Sequence, residues 1–299
     1  MDLLEKFAAV EVKADNRITA EDKNYCEQHQ AAYEAARDAF QELAFIWNDI
    51  ESTQLSLLTN LDDSPYAYKT YLASNDGPEI NDDHLKKHLM ALPTQFIKNV
   101  VFHFTHKYHV SVDHKAVGEH LLPQKPEDRW DEKGTRTYEE ALQSTKLRYQ
   151  DILDQIFVQL DGRGFADQAL YELKKSCHDA AWSSYDHKAK YELKRDTLRF
   201  PNYGCHYESW YSSEHWELSD GLKKIMRGLA HFETGSFSVV PSELAPLVGY
   251  ARFEYNQIDF AFLLKVCQLK MFKNGRVDLK FVSAEYAQEF VNTYLGTVY

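Results

Sequence analysis

Histidines and cysteines are the residues with most capacity for chemistry in this chain, and the histidines cluster. His103, His106 and His109 recur at spacings of three, with His114 and His120 beyond them and His84 and His88 four residues apart. On a helix such spacings bring side chains together, so a metal ion could recruit two of them. HExxH is absent, however, and Asp113 is the only carboxylate between His103 and His114. The pattern reads better as a partly exposed helix end, or as a surface that gains positive charge below neutral pH. Cys177-His178 and Cys205-His206 form a second pattern. Four such ligands could hold zinc if the dipeptides met in space, but neighbours point apart on a helix and chelate poorly.

The other cysteines, Cys26 and Cys267, are far from these and no CxxC pair occurs. A disulfide framework is not expected, and an intermolecular bridge through Cys177 or Cys205 is disfavoured in a reducing compartment. There is no Walker P-loop, no GxGxxG after a strand and no GxSxG elbow. Asp161-Gly162-Arg163-Gly164 has two glycines but follows a helical stretch, so it reads as a helix-ending turn. No catalytic set, metal site or cofactor is expected.

Binding has more positive support. Tyr203, Tyr207, Glu208, Trp210, Tyr211, Glu214 and Trp216 crowd into one short stretch, with His206, His215 and Glu217 among or beside them. Tyr and Trp dominate interface hot spots, and the acidic neighbours would suit a basic partner. The same rings could instead pack beneath a sheet. Aromatic residues make up 14 % of the chain, which fits either reading. A net charge of −12 excludes a general binder of nucleic acid, which must neutralise phosphates. It permits a binder of basic surfaces, including one that covers another protein's DNA-binding site. No run approaches the ~20 apolar residues of a membrane span. Residues 1–20 carry scattered charge rather than a signal sequence, so the cytoplasm is the expected location.

The elements that must position these residues read as α+β, with long helices in the first half and helices plus an antiparallel hairpin in the second. Thr19 and Asp22 mark the start of a helix that runs to about Leu58 without Gly or Pro. Tyr33, Ala36, Phe40, Leu43, Trp47, Ile50, Gln54 and Leu57 alternate by three and four, a lengthwise packing stripe. Its partner is a helix of the same chain or of a second copy; in the latter case Tyr33, Phe40, Leu43, Trp47 and Ile50 carry oligomerisation. Glu34, Arg37, Asp38 and Glu42 on the opposite face should be solvated. After an irregular stretch over 62–82, a second helix covers 83–108, broken or kinked at Pro93.

Pro123, Pro126 and a charged run suggest a linker over 119–136, between a helical domain at 1–118 and an α+β domain at 137–299. A helix begins at Thr137 with its capping Glu140, and another runs from Ala166 to Leu198. Strands at 266–272 and 276–282 flank Asn274-Gly275, read as a two-residue type I′ turn. A helix over 284–296 closes the chain, with Ala287, Phe290, Val291, Tyr294 and Leu295 on one side.

The stretch Met271-Phe272-Lys273-Asn274-Gly275-Arg276-Val277-Asp278-Leu279-Lys280-Phe281, followed by a helix containing Asn292, resembles the closing motif of a family of phage and mobile-element proteins. Leu153-Asp154-Gln155-Ile156-Phe157, leading to Leu160-Asp161-Gly162-Arg163, resembles that family's helix ending in a Leu-Asp-Gly turn. Arg276 and Asp278 stand where the family has Asn and His. In length and class the chain is also similar to the Gabija anti-defence proteins. That resemblance implies a non-enzymatic, oligomeric inhibitor acting in the host cytoplasm on a bacterial nuclease–helicase immune complex, blocking its binding or cleavage of DNA. The competing expectation is an accessory enzyme that processes or modifies DNA on a mobile element.

Overall fold

The computed structural model describes residues 17–57, 82–128, 130–185, 188–210 and 213–296. It is an α+β protein whose helices lie mainly in the first half. Among the described residues two compact units form. The chain passes from the first to the second at Gly164–Phe165, and Tyr108–Val110 also belongs to the second.

In the first unit, α1 (Ala20–Leu57) starts on a reciprocal cap. The Thr19 hydroxyl accepts from the Asp22 amide at 3.2 Å, and the Asp22 carboxylate accepts the Thr19 amide at 3.2 Å and its hydroxyl at 2.6 Å. The second helix, α2 (Asp82–Tyr108), continues through Pro93 rather than ending there, and Pro93 is buried. The two run antiparallel: Asp22 meets His103, Tyr33 stacks on Phe96 at 4.7 Å, and Phe40 stacks on His88 at 5.2 Å. Partner numbers fall as those along α1 rise. Arg37, expected in solvent, is buried instead.

Three shorter helices complete this unit: α3 (His114–Leu121), α4 (Glu132–Ser144) and α5 (Tyr149–Gln159). The expected linker is thus largely occupied. α3 ends within it, with Gly118 buried in the helix, and Asp131 caps α4 by accepting the Gly134 amide at 2.9 Å. The first turn of α4 is therefore built before Thr137, and the compact units divide later, after the Asp161-Gly162 turn that closes α5. Asp161 and Gly162 there take φ of 52° and 74°. α1 is tied to the α4–α5 connection, where Gln30 bonds the Leu147 carbonyl and the Tyr149 amide, and Tyr33 donates to the Thr145 carbonyl.

The second unit opens with α6 (Phe165–Ala181), much shorter than the helix expected to Leu198. In place of its second half stand β1 (Glu192–Lys194) and β2 (Thr197–Phe200), paired antiparallel about Arg195, whose φ is 56°. Thr197-Leu198-Arg199-Phe200 alternates with Leu198 and Phe200 buried, a strand period that overrides the helix-forming Glu, Leu and Lys before it. These strands join β7 (Val277–Phe281), β6 (Val266–Met271) and β5 (Gln257–Asp259) in a five-stranded sheet of order β1-β2-β7-β6-β5. Its pairs are antiparallel throughout.

The hairpin expected at Asn274-Gly275 is present, but its turn is different. Only Gly275 takes positive φ, at 83°, and the Gly275 amide bonds the Phe272 carbonyl while the Phe272 amide bonds that of Arg276. This is a three-residue loop closed by a left-handed glycine, which splays the strands less than an ordinary type I turn alone would. On the strand beside it, Asp278 takes Arg199 of β2 in a two-pronged pair at 3.0 Å per contact. Asp278 is therefore matched across the sheet.

Behind the sheet lies α7 (Asp220–Thr234), capped by Ser219. Leu222, Ile225, Met226 and Leu229 carry its buried face. After the short α8 (Ala245–Val248) and the hairpin, α9 (Ala284–Phe290) starts on Ser283 and passes into a π-helical turn, Val291–Leu295. Val277, Leu279 and Phe281 of the sheet and Phe290, Tyr294 and Leu295 of this closing helix share one core. No helix among the described residues is long and apolar enough to cross a membrane.

Candidate functional site

The aromatic segment is an antiparallel ribbon separate from the main sheet, β3 (Cys205–Trp210) with β4 (Ser213–Leu218). Cross-strand pairing sorts its side chains onto two faces. Cys205 with Leu218, Tyr207 with Trp216, and Ser209 with Glu214 share one; His206 with Glu217, and Glu208 with His215, share the other.

The first face is core at its base and a polar cluster further out. Trp216 is buried, and its backbone pairs with Phe253 at 2.8 and 2.9 Å. It was expected to meet a partner, but its indole supports the fold instead. Tyr207 covers it with ring centroids 5.0 Å apart. The Tyr207 hydroxyl donates to Glu214 at 2.7 Å, and Lys273, from the hairpin turn, donates to both. The Lys273 ammonium also sits 4.6 Å from the Tyr207 ring centre. Hydrogen bonds from Lys273 and then Tyr207 hold the Glu214 carboxyl below its ordinary range, and Lys273 is raised by the same contacts.

The second face is charged, with His206 and Glu208 exposed and His215 and Glu217 half-buried, the last on Lys223 at 2.8 Å. Glu208 is exposed, with Arg252 3.9 Å away, and Arg252 also lies 3.8 Å from Glu217. Tyr203 precedes the ribbon and is 85 % exposed. The backbone of Trp210 lies in β3, but its side chain and all of Tyr211 fall outside the described residues. Of the seven expected partner-binding residues, the structure therefore offers Tyr203, Glu208, Glu214 and the outer edge of Tyr207 to solvent.

The expected oligomerisation stripe on α1 divides in two. Tyr33 is buried against Phe96, and Phe40 is half-buried against His88, so both serve the unit's own packing. Among the described residues, Phe40–His88 is the last ring contact between α1 and α2 toward the end of α1, and α2 is described from Asp82. α1 itself runs on to Leu57. Leu43, Ile46, Ile50 and Leu57 share one face there and are 41, 44, 40 and 77 % exposed. Trp47 beside them is half-buried.

The histidine cluster resolves into packing. Asp22, with no exposed surface, accepts from His103 at 2.8 Å and Lys107 at 2.7 Å, and Tyr25 stacks on the His103 ring at 3.8 Å. His106 lies edge-on to Phe102, and His109 sits at φ 56°, just past α2. Asp22 is thus the carboxylate that the local spacing did not show, brought from 81 residues away. Among the described residues no three His, Cys, Asp or Glu are placed to hold a metal ion. Cys177 and Cys205 are both buried as free thiols; burial pushes the Cys177 thiol up to about 12, far from a reactive thiolate. Comparison with known protein families, curated proteins and solved structures returned no match.

Proposed function

We propose that this protein works by non-catalytic association, with the distal half of α1 pairing two copies of the chain and the ribbon's outer face meeting a basic partner. One observation carries this reading: among the described residues, the distal half of α1 keeps Leu43, Ile46, Ile50 and Leu57 exposed on one face. Burying apolar surface is worth roughly 25 cal/mol per Å², so an ordered helix face of this kind favours a second helix strongly. The stripe continues at heptad spacing through Gln54, and a polar residue within such a seam selects one register. On the ribbon, a basic partner would compete with Arg252, 3.9 Å away, for the exposed Glu208, and the overall negative charge favours its approach. For the partner, the resemblance to Gabija anti-defence proteins supports a host nuclease–helicase immune complex whose DNA-binding surface would be basic.

Sedimentation across a concentration series tests the pairing. The wild-type chain is expected to sediment as a dimer or larger particle and Ile46→Asp/Ile50→Asp as a monomer with unchanged circular dichroism. A wild-type monomer at the highest concentration would overturn the pairing. The partner is tested by adding the purified protein to a reconstituted Gabija nuclease–helicase pair and following cleavage of its DNA. Protection by wild type that weakens in Glu208→Lys supports the reading; undiminished cleavage removes this target.

A further inference from the structure

Glu233 sits in the last turn of α7, where the helix dipole disfavours a carboxylate. What it holds explains its place. The chain between β5 and β6 makes a loop beside it, and the Glu233 carboxylate accepts the amides of Leu264 at 3.1 Å, Lys265 at 2.9 Å and Val266 at 3.0 Å. Glu243 does the same for the first half of the loop, accepting the amides of Ala261 at 2.8 Å and Phe262 at 3.0 Å. The two carboxylates hold the loop backbone at both ends and leave those donors satisfied within the protein.

The loop so held exposes its largest side chains. Phe262 is 85 % and Leu264 76 % exposed, while Leu263 between them packs against the core. Val282, whose amide bonds the Lys265 carbonyl at 2.9 Å, adds another exposed apolar group at the foot of the loop. The charges around this tip are unbalanced. Lys265 is drawn away from it, donating to the Phe232 carbonyl with its ammonium 4.0 Å from the Phe232 ring centre. Among the described residues, no cation forms an ion pair with the half-buried Glu233 or Glu243. Asp259, at the end of β5, is a third carboxylate, and it bonds Gln257 and Gln268.

We propose that this loop is a docking tip for a protein surface that carries an apolar pocket rimmed by Lys or Arg. An aromatic and an aliphatic anchor on a backbone that is already ordered can fill a pocket at low entropic cost. Covering the tip also takes Glu233 and Glu243 out of water. Having no cation of their own, they make a wholly apolar or an anionic cover costly. Tip-to-tip pairing of two copies would set these carboxylates against their equals. A cationic rim offsets that cost, so charge selects this occupant. The tip shares no residue with the α1 seam or the ribbon and does not depend on either.

β-Cyclodextrin carrying primary amines along one rim is the probe, an apolar cup with ammonium groups at its mouth. Plain and carboxylated β-cyclodextrin serve as comparisons, each titrated into the full chain and followed by the amide NMR signals of residues 261–266. Wild type is expected to bind the amino form at about 1 mM or tighter, at least about tenfold more tightly than the carboxylated form, with the plain form between them. Phe262→Ser leaves the net charge unchanged, so it separates seating on the tip from general attraction to an acidic chain. At so exposed a position it should keep the wild-type melting temperature and lose at least about tenfold in affinity for the amino form. Leu264→Ser provides the same test if Phe262→Ser fails to fold. No binding by wild type, equal affinity for the three forms, or full binding of the amino form by both variants would each overturn the proposal. So would loop signals that move with protein concentration before any probe is added, since a second copy would then cover the tip.

Discussion

The two halves of α1 carry the same kind of stripe and use it in opposite ways. From Asp22 to Phe40 inward-facing residues meet partners: Asp22 with His103 and Lys107, Tyr33 with Phe96 and Thr145, Phe40 with His88. From Leu43 to Leu57 the stripe continues, and Leu43, Ile46, Ile50 and Leu57 are exposed while Trp47 and Gln54 are half-buried. Helix periodicity therefore marks a packing face without naming what packs on it. In the pairing proposed above, the exposed remainder of the seam is what a second copy would cover.

This contrast is sharpest at its buried end. Replacing Asp22 by Ala should destabilise the first unit by about 2 kcal/mol, because it removes the α1 cap and the buried carboxylate shared by His103 and Lys107, leaving Lys107 its exposed partner Glu21. Urea unfolding followed by circular dichroism measures this. A loss below about 1 kcal/mol would mean that the cluster is an exposed ion pair in effect and that the proximal half is not fixed as described. Tyr33→Phe keeps the stacking on Phe96 but removes the hydroxyl donated to the Thr145 carbonyl at 3.1 Å. The expected cost is about 1 kcal/mol by the same measurement, a typical net value for one hydrogen bond. An unchanged midpoint would show that water replaces the hydroxyl without penalty and that α1 is tied to the α4–α5 connection mainly through Gln30.

Local pattern explains which features were readable from residues alone. The Thr19–Asp22 cap, the α1 stripe and the hairpin at Gly275 are local, each specified by residues a few positions apart. What depended on distant partners was not readable. His103 looked like a metal ligand lacking carboxylates because Asp22 lies 81 positions away in the chain. Glu192-Leu193-Lys194 reads as helix until the burial of Leu198 and Phe200 against β7 turns the segment into strands. In the ribbon, Tyr207 and Trp216 are cross-strand neighbours, yet one keeps a polar edge in solvent and the other is buried because Phe253 pairs with its backbone. The alternation of Cys205, Tyr207, Trp216 and Leu218 was available as a strand signal. The clamp on the loop at Phe262 was not, since its carboxylates, Glu233 and Glu243, lie well before the loop in the chain.

The smallest expected effect on the folded unit lies at the exposed end of α1, and it separates the two halves most directly. Ile46→Asp/Ile50→Asp replaces side chains that are 44 and 40 % exposed, so in dilute protein its stability should fall within about 0.5 kcal/mol of wild type. Association changes the outcome at higher concentration. A folded state stabilised by pairing gains with concentration through mass action, so the wild-type melting temperature should climb as protein is added. The variant's should stay flat. If both curves climb together, the copies meet through another surface. If the variant is strongly destabilised even when dilute, the distal stripe is packed within its own chain, and both halves of α1 serve the same fold.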